Sequence, residues 1–157
     1  MTSTRRKALV RRAQPDEADA LNELIVRSKS YWGYDQPFVE AYRSFLSLSP
    51  EAIKHHPVYC AEVEGTIAGI SHFTVASETE IELDHLFVEP TFMGQGIGKL
   101  LWQHAVDLAR SMGAKALVFD ADPHARPFYE QMGAVVEDYH FSTIIAGLTI
   151  PRMRYAL

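Results

Sequence analysis

Three alternate glycines occupy a turn between a strand-like segment and a helix-like segment in the middle of the chain. The turn contains Gly94, Gly96 and Gly98, and Lys99 follows it. Glycine lets a backbone approach a ligand closely and lets successive N–H groups point the same way. The first turn of the following helix adds unpaired N–H donors and a partial positive charge. The segment therefore predicts an anion site large enough for a pyrophosphate.

The glycine spacing argues against two common phosphate-binding motifs. A dinucleotide-binding turn needs G-x-G-x-x-G, whereas this turn has G-x-G-x-G. A P-loop needs serine or threonine after its lysine, and here Leu100 follows Lys99. A tight strand-to-helix turn that binds no ligand is the alternative that these residues alone leave open.

Carboxylates alternate with apolar residues between residues 79 and 85. Glu80, Glu82 and Asp84 are expected on one face of a strand. The opposite face would carry the apolar residues together with His85 and Phe87. A carboxylate with a raised pKa can take a proton from an ammonium group, directly or through water. Glu82 is the first candidate for this base, Asp84 is the alternative base or amine ligand, and a solvated strand face is the competing interpretation.

Three aromatic side chains follow the first predicted helix. Tyr31, Trp32 and Tyr34 can bind a cationic or aromatic amine by stacking or by cation–π contact. The alternative is that they pack the helix against the sheet. His55 and His56 are adjacent and cannot form a helical pair of ligands, so no metal site is predicted.

The hydrophobic pattern predicts an α/β fold with the element order β-α-α-β-β-β-α-β-α-β-β. A meander of antiparallel strands followed by a β-α-β crossover predicts one mixed, mostly antiparallel sheet with helices on both faces. The predicted strands cover residues 8–13, 58–63, 66–75, 79–88, 116–119, 135–141 and 150–155. The predicted helices cover residues 14–29, 37–48, 97–112 and 125–132, with a helical turn over residues 50–54.

Length and composition predict a single domain over residues 1–157. The chain has 15 basic and 20 acidic residues and a net charge of −5, which predicts no nucleic-acid or membrane partner. A single cysteine, Cys60, excludes an internal disulfide. No segment has the pattern of a secretion signal or a membrane helix, so we expect a cytoplasmic protein. The one basic cluster is interpreted as a solvated terminus and comprises Arg5, Arg6, Lys7, Arg11 and Arg12.

The strand and glycine turn resemble those of the GNAT superfamily of acyl-CoA-dependent N-acyltransferases. That family carries Gln/Arg-x-x-Gly-x-Gly/Ala at the start of a helix, after a strand that ends in an apolar-Val-x-Pro pattern. Leu86-Phe87-Val88-Glu89-Pro90 matches the strand end, and Gly96 and Gly98 match the paired glycines. Met93 stands where the family has arginine or glutamine. Because main-chain N–H groups bind most of the pyrophosphate in the family, this departure implies weaker binding and not its loss.

A second motif of the same family lies about 25 residues later. It reads Asn-x-x-Ala-x-x-x-Tyr-x-x-x-Gly-Phe, and Ala125, Tyr129 and Gly133 fall in its fixed positions. Asp122 replaces the asparagine and Ala134 replaces the phenylalanine. The two motifs cover residues 58–134, and the element order extends the resemblance to the whole chain.

The resemblance implies an N-acetyltransferase that moves the acetyl group of acetyl-CoA to a primary amine by direct attack in a ternary complex. A non-catalytic acyl-CoA-binding sensor or regulatory module is the alternative. An N–H group near Val88 would polarise the acetyl carbonyl, and Tyr129 would donate a proton to the leaving thiolate. Glu82 lies where some family members carry a catalytic glutamate. The implied cofactor contacts are Leu86, Phe87, Val88, Met93, Gly94, Gln95, Gly96, Ile97, Gly98, Lys99, Ala125, Phe128 and Tyr129.

The resemblance also implies where the acceptor amine and a partner chain would bind. The acceptor would lie between the aromatic group of Tyr31, Trp32 and Tyr34 and the loop over residues 142–149. Members of the family are often homodimers that use the late strands and helices. The apolar stretch from Ile144 to Leu148 is the candidate surface for such a dimer.

Overall fold

A seven-stranded mixed sheet forms the centre of the protein. The structure is a computed structural model and describes residues 7–46 and 48–157. The strands lie in the order β1-β2-β3-β4-β5-β7-β6; β4 and β5 are parallel, and all other neighbours are antiparallel. The strands are β1 (Ala8–Arg12), β2 (Val58–Val63), β3 (Thr66–Val75), β4 (Glu80–Val88), β5 (Ala116–Asp120), β6 (Val135–Phe141) and β7 (Thr149–Ala156).

Helices cover both faces of this sheet. One face packs against Leu21, Leu24 and Ile53, and the other against Trp102 and Ala105. The first face carries α1 (Ala18–Ser30), α2 (Gln36–Ser44) and α3 (Pro50–His55), and the second carries α4 (Ile97–Ser111) and α5 (Arg126–Gln131). Short 3₁₀ turns lie at Pro15–Glu17 and Pro90–Phe92. This arrangement confirms the predicted mixed α/β fold.

Two predicted helices differ from the observed ones at their ends. Residues Pro15–Glu17 form a separate 3₁₀ turn, so α1 begins at Ala18 and not at residue 14. The α2 helix begins after Asp35, whose side chain accepts a hydrogen bond from Phe38 N, and it ends at Ser44, four residues earlier than predicted. Within the described residues, no helix is long and apolar enough to cross a membrane.

The parallel strands β4 and β5 separate soon after they begin. Three residue pairs join them, at Glu80, Ile81 and Glu82 of β4. Beyond these pairs, β4 continues against β3 as far as Val88, and β5 continues against β7 as far as Asp120. A wedge therefore opens between the C-terminal halves of β4 and β5. Its edges carry backbone N–H and C=O groups that no neighbouring strand of the described residues uses.

A β-bulge at Asp84 interrupts the alternation of β4. His72 of β3 pairs with His85, but the next residue of β3, Phe73, pairs with Leu83. Asp84 is thus the extra residue, and an extra residue reverses the faces that follow it. Phe87 packs in the cluster beside α1 and α3, whereas Leu83 packs in the cluster beside α4. The prediction that His85 and Phe87 oppose the carboxylate face is therefore wrong, because the sequence pattern assumed an uninterrupted strand.

Three histidines form a stack on the face of the sheet next to α3. His56 Nδ1 lies 3.1 Å from His72 Nε2, and the rings of His72 and His85 stack with centroids 5.4 Å apart. The Nδ1 atoms of His72 and His85 are buried without a hydrogen-bond partner among the described residues. Burial lowers the pKa of both His72 and His85 to about 4. His72 and His85 are therefore uncharged at neutral pH.

The α4 helix packs unusually close to β3 at Gly69. A Cβ atom at this position would lie 2.7 Å from Leu101 Cδ1 and 3.0 Å from the backbone oxygen of Phe87. The close approach sets the distance between α4 and the sheet, and α4 carries the glycine turn at its N-terminus. Gly69 therefore contributes to the placement of that turn.

The basic segment at the N-terminus is only partly a solvated tip. Arg11 pairs with Glu17 at 2.8 Å and also forms an ion pair with Glu62 of the neighbouring strand. Hydrogen bonds to these two carboxylates raise the pKa of Arg11. Arg5 and Arg6 lie outside the described residues.

Candidate active site

A cleft of about 620 Å³ follows the wedge between β4 and β5. The glycine turn and α5 line one end of the cleft, which we call the turn end. The segment joining α1 to α2 and the loop between β6 and β7 line the other end, which we call the loop end. Leu86, Phe87 and Val88 line it from β4, and Phe119 and Asp120 line it from β5.

The glycine turn leaves backbone donors free at the start of α4. Gly94 and Gly96 have φ values of +78° and +84°, a conformation that strongly favours glycine. Gly96 is the N-cap of α4, and no side chain caps the helix there. The first N–H groups of α4 are therefore available to an anion. Gly98 has no positive φ, and a Cβ atom there would lie 3.4 Å from the ring of Phe128.

Most of the residues predicted at this turn line the cleft. They are Met93, Gly94, Gly96, Ile97, Gly98 and Lys99. Gln95 does not line the cleft, and its side chain donates a hydrogen bond to Thr91 O at 3.3 Å. Ala125 and Phe128 line it from the start and middle of the α5 region. The turn end thus brings together the two segments that the sequence singled out.

Tyr129 lies beside the wedge with its ring held by other aromatic rings. The ring centroid of Tyr129 is 4.6 Å from that of Phe119, 5.2 Å from that of Phe128 and 5.7 Å from that of Trp102. The side chain lines the cleft, and no group of the described residues hydrogen-bonds its hydroxyl. Burial raises the pKa of Tyr129, and the charge of Asp122 raises it further. The phenol is therefore protonated at neutral pH and free to donate.

Glu82 lies close to the wedge but is paired with Arg152. Its two carboxylate oxygens accept hydrogen bonds from Arg152 Nη1 and Nη2, both at 2.7 Å. Glu82 lines a smaller pocket of about 360 Å³ beside the cleft and does not line the cleft itself. A bidentate pair of this kind occupies the atoms that a base would use.

Asp84, the bulged residue, lines both the cleft and the smaller pocket. Its Oδ2 accepts a hydrogen bond from Thr74 Oγ1 at 2.7 Å, and no cation pairs with it among the described residues. Desolvation raises the pKa of Asp84 above its ordinary value, although the hydrogen bond from Thr74 opposes the rise. The bulge therefore places an unpaired carboxylate where the wedge opens.

Asp122 connects α1, the aromatic segment and the strand β5. Its Oδ2 accepts hydrogen bonds from Lys29 Nζ at 2.6 Å and from Tyr34 Oη at 3.0 Å. Its Oδ1 accepts a hydrogen bond from His124 N at 2.8 Å and lies 2.8 Å from His124 Nδ1. Burial alone would raise the pKa of Asp122, but the charge of Lys29 and these hydrogen bonds lower it overall. Lys29 is buried and Asp122 is partly buried, with side chains 11% and 7% exposed.

Aromatic rings of α2 and of the segment before it surround the side chain of Lys29. Lys29 Nζ lies 5.0 Å from the ring centroid of Tyr42, 5.5 Å from that of Tyr34 and 6.0 Å from that of Phe38. The cation–π position that the sequence suggested for a substrate amine at Tyr34 is thus occupied by Lys29. Cation–π contact stabilises the buried ammonium group together with Asp122.

Of the three aromatic residues predicted to bind the acceptor, only Trp32 lines the cleft. Its indole stacks on the ring of His124, with centroids 5.2 Å apart and planes inclined by 9°. Tyr31 is 56% exposed and contacts Trp32 edge-on, and Tyr34 is turned toward Asp122.

The loop between β6 and β7 forms the opposite wall of the loop end. Ser142 Oγ accepts hydrogen bonds from the N–H groups of Ile144 and Ile145 at 3.0 Å, and Ser142 N donates to Leu148 O at 2.8 Å. Ile144 and Ile145 pack against a cluster on α1 and α2 that includes Phe38. The stretch suggested as a dimer surface is therefore partly used within the chain.

Sequence reasoning missed three polar residues of the site. Lys29 and His124 contact the candidate Tyr34, and Arg152 pairs with the candidate Glu82. Lys29 lies four residues after Ile25 on the buried face of α1, and a lysine at such a position is a signal of a buried partner. In the part of the chain that the structure describes, no group of three or more potential ligands could hold a metal ion.

Comparison with known proteins agrees with this architecture. The family model described as the acetyltransferase (GNAT) family matches residues 18–134. The chain therefore belongs to the acetyltransferase (GNAT) family. A glucosamine 6-phosphate N-acetyltransferase of Trypanosoma brucei brucei is 28% identical over 82 residues, which are 48% of this chain and 56% of that protein. The chain thus spans about half the length of this curated relative.

Solved structures of the same fold extend over almost the whole chain. An N-acetyltransferase from Rhodopseudomonas palustris matches with a TM-score of 0.81 and 22% identity, covering 100% of this chain and 99% of that one. The paia N-acetyltransferase of Thermoplasma acidophilum, solved in complex with coenzyme A, has a TM-score of 0.80 and 17% identity. That match covers 96% of this chain and 99% of the other.

Proposed function

We propose that this protein transfers the acetyl group of acetyl-CoA to a primary amine by direct attack in a ternary complex. The observation that supports the proposal most is the continuity of one cleft. The cleft runs from the free N–H groups of the glycine turn, through the β4–β5 wedge beside Tyr129, to the loop end. Such a cleft can hold a long thioester and an amine in contact, and placement of this kind supplies much of the rate of acyl transfer.

The turn end would hold acetyl-CoA through backbone groups. The N–H groups at the start of α4 would bind the pyrophosphate, and the free edge of β4 at Leu86, Phe87 and Val88 would pair with the pantetheine arm. A backbone N–H near Val88 would polarise the acetyl carbonyl. The paia N-acetyltransferase of Thermoplasma acidophilum, which shares this fold, was solved in complex with coenzyme A, and this supports coenzyme A as the ligand.

Two proton transfers would accompany the transfer of the acetyl group. Attack by the amine forms the C–N bond and breaks the C–S bond, and the amine must lose a proton while the thiolate gains one. Tyr129 would donate to the thiolate. Asp84 would accept the ammonium proton, directly or through water, because it is unpaired and has a raised pKa. Glu82, the first candidate from sequence, would instead orient Arg152 beside Asp120.

A thiol-release assay with acetyl-CoA and a panel of primary amines tests the activity.

Titration calorimetry with coenzyme A tests the cleft separately, in the wild type and in Gly98→Leu. Gly98 has no positive φ, so leucine is not strained there and should fill the space beside Phe128. We expect affinity for coenzyme A to fall at least about tenfold while the circular dichroism spectrum stays unchanged. Gly96 is a poorer test because its φ of +84° makes any other side chain strained.

Gln103→Leu is the matched control because this residue is exposed on the same helix and lies outside the cleft. Undiminished coenzyme A affinity in folded Gly98→Leu would remove the cleft from the proposal. Coenzyme A binding without thiol release from any amine would favour the alternative of a non-catalytic acyl-CoA-binding module. A homodimer remains a prediction, and light scattering at micromolar concentration tests it.

A further inference from the structure

The loop end of the cleft has two walls that are mainly apolar. Trp32, Phe38 and Tyr42 form the wall on the α1–α2 side, and Ile144 and Leu148 belong to the wall on the β6–β7 side. The two walls meet, because Ile144 packs in the cluster that contains Phe38. A substrate in this space must therefore replace contact with water by contact with aromatic and aliphatic side chains.

The cations near this space are already paired. Lys29, the one lysine or arginine of the described residues that lines the loop end, is bound to Asp122 and surrounded by aromatic rings. Arg152 lies in the smaller pocket, where Glu82 holds both of its terminal nitrogens and Asp120 adds a third contact. Lys99 lines the cleft at the start of α4, at the turn end. A phosphate or carboxylate on the acceptor would thus find no unpaired cation among the described residues of the loop end.

Apart from Lys99 at the turn end, the unpaired charge among the described residues of the cleft is negative. Asp84 has no cationic partner among the described residues and lies where the wedge opens. Its carboxylate can attract an ammonium group toward the place where the thioester would lie. An acceptor that fits would present a cation to Asp84 and an uncharged body to the apolar walls. An acceptor with an anionic group would bury that group unpaired and lose its hydration without compensation.

We propose that the natural acceptor is a primary amine carried on an uncharged aromatic or branched aliphatic body, with no phosphate or carboxylate. This inference rests on the proposed acetyl transfer and concerns only the substrate class of that site. It differs from the acceptor named for the trypanosomal relative, which is a phosphorylated sugar.

Three probes built on one phenylethylamine skeleton test the charge requirement in the thiol-release assay. They are 2-phenylethylamine, phenylalanine and phenylalaninamide, and glucosamine 6-phosphate is added as a phosphorylated acceptor. Phenylalanine adds a carboxylate to 2-phenylethylamine, and phenylalaninamide keeps the added bulk without the charge. We expect kcat/KM for 2-phenylethylamine and phenylalaninamide to exceed that for phenylalanine and glucosamine 6-phosphate by at least about 100-fold.

A pair of variants tests the apolar wall. Trp32→Ala should raise the KM for 2-phenylethylamine about tenfold or more and leave the KM for acetyl-CoA within about twofold. Phe45→Ala is the matched control, because Phe45 is an aromatic residue that is 62% exposed and lies outside the cleft. It should change neither constant.

Three results would overturn the inference. Equal or better use of phenylalanine or glucosamine 6-phosphate would overturn the substrate class and leave acetyl transfer intact. An unchanged KM for 2-phenylethylamine in Trp32→Ala would remove the apolar wall from the acceptor site. Binding of coenzyme A with no thiol release from any of the four amines would overturn the proposed acetyl transfer, and this inference with it.

Discussion

The two ends of the cleft are built from different parts of the chain. The turn end consists mostly of backbone: two glycines with positive φ, an uncapped helix N-terminus and the free edge of β4. The loop end consists of side chains, and its polar groups are paired with one another through Asp122. A backbone-built site tolerates side-chain changes, whereas a site of paired side chains depends on every partner. The comparison predicts opposite responses to mutation at the two ends.

The largest effect is expected at the hydroxyl of Tyr129, which lines the cleft beside the wedge. Tyr129→Phe should lower kcat by about 10² to 10⁴, the usual range for loss of a general acid. The KM for acetyl-CoA should change little, because the ring and its packing against Phe119 remain. Steady-state kinetics with a good acceptor measures both constants. Stability is the control: no described group hydrogen-bonds the hydroxyl, so the urea midpoint should stay unchanged. Full turnover in Tyr129→Phe would mean that water protonates the thiolate.

Breaking the Lys29–Asp122 ion pair of the loop end should lower the free energy of unfolding. Asp122→Asn leaves the Lys29 ammonium buried without an anion, which should cost about 3 to 5 kcal/mol in the free energy of unfolding. The double variant Lys29→Met with Asp122→Asn removes the orphaned charge and should recover most of that loss. Urea unfolding of both single variants and of the double variant measures the coupling. If the losses of unfolding free energy in the two single variants add up in the double variant, the ion pair does not stabilise the contact between α1 and β5.

The two candidate bases of β4, Asp84 and Glu82, should differ in their effect on rate. Asp84→Asn should lower kcat/KM about 100-fold, because an amide cannot accept the ammonium proton. In the wild type, activity should fall as the pH drops through the raised pKa of Asp84, since the protonated carboxyl is no longer a base. Asp84→Asn should lose this acidic limb, and Glu82→Gln should keep it. A profile that changes only in Glu82→Gln would return the role of base to Glu82.

The acidic limb must be separated from unfolding. The folded-state pKa of His72 and of His85 is about 4, below the ordinary histidine value of about 6.5. The unfolded chain therefore binds protons that the folded chain does not, and the free energy of unfolding falls as the pH drops from about 6.5 toward 4. Urea unfolding at each pH supplies the control for the activity profile.

The smallest effect is expected at a side chain of the turn end. Met93→Arg supplies the arginine that the family carries at this position, and it should tighten coenzyme A binding about two- to fivefold, as expected for an exposed ion pair. Met93→Gln is the uncharged control and should give a smaller gain in coenzyme A affinity. Titration calorimetry at two salt concentrations measures the gain, which should shrink at high salt. A gain of 100-fold would show that the turn does not rely on its backbone.

The sequence predicted the backbone-built parts well and the side-chain pairs poorly. Strands β2, β3 and β6 have the predicted bounds, because alternation and glycine turns are local patterns. The ion pair between Lys29 and Asp122 joins residues 93 positions apart, and that between Glu82 and Arg152 joins residues 70 apart. No local pattern contains such pairs.

The bulge at Asp84 illustrates a third kind of error. The residues of β4 alternate only as far as Asp84, where a second polar residue, His85, follows directly. This break is compatible with a bulge, but the sequence of β4 alone does not fix which residue is extra. Its position depends on the pairing of β4 with β3. The prediction that His85 and Phe87 oppose the carboxylates failed for this reason, while the candidate base at Asp84 remained accessible because of it.

The short contact between β4 and β5 has a consequence for the stability of the sheet. The sheet consists of two half-sheets, β1–β4 and β5–β7, and three residue pairs join them. A ligand in the wedge would act as an additional strand between the halves. By mass action, a ligand that binds only the folded state at 100 times its Kd adds about 2.7 kcal/mol to the free energy of unfolding. The melting temperature should therefore rise with coenzyme A concentration. Amide hydrogens on the free edge of β4 should exchange more slowly once coenzyme A fills the wedge.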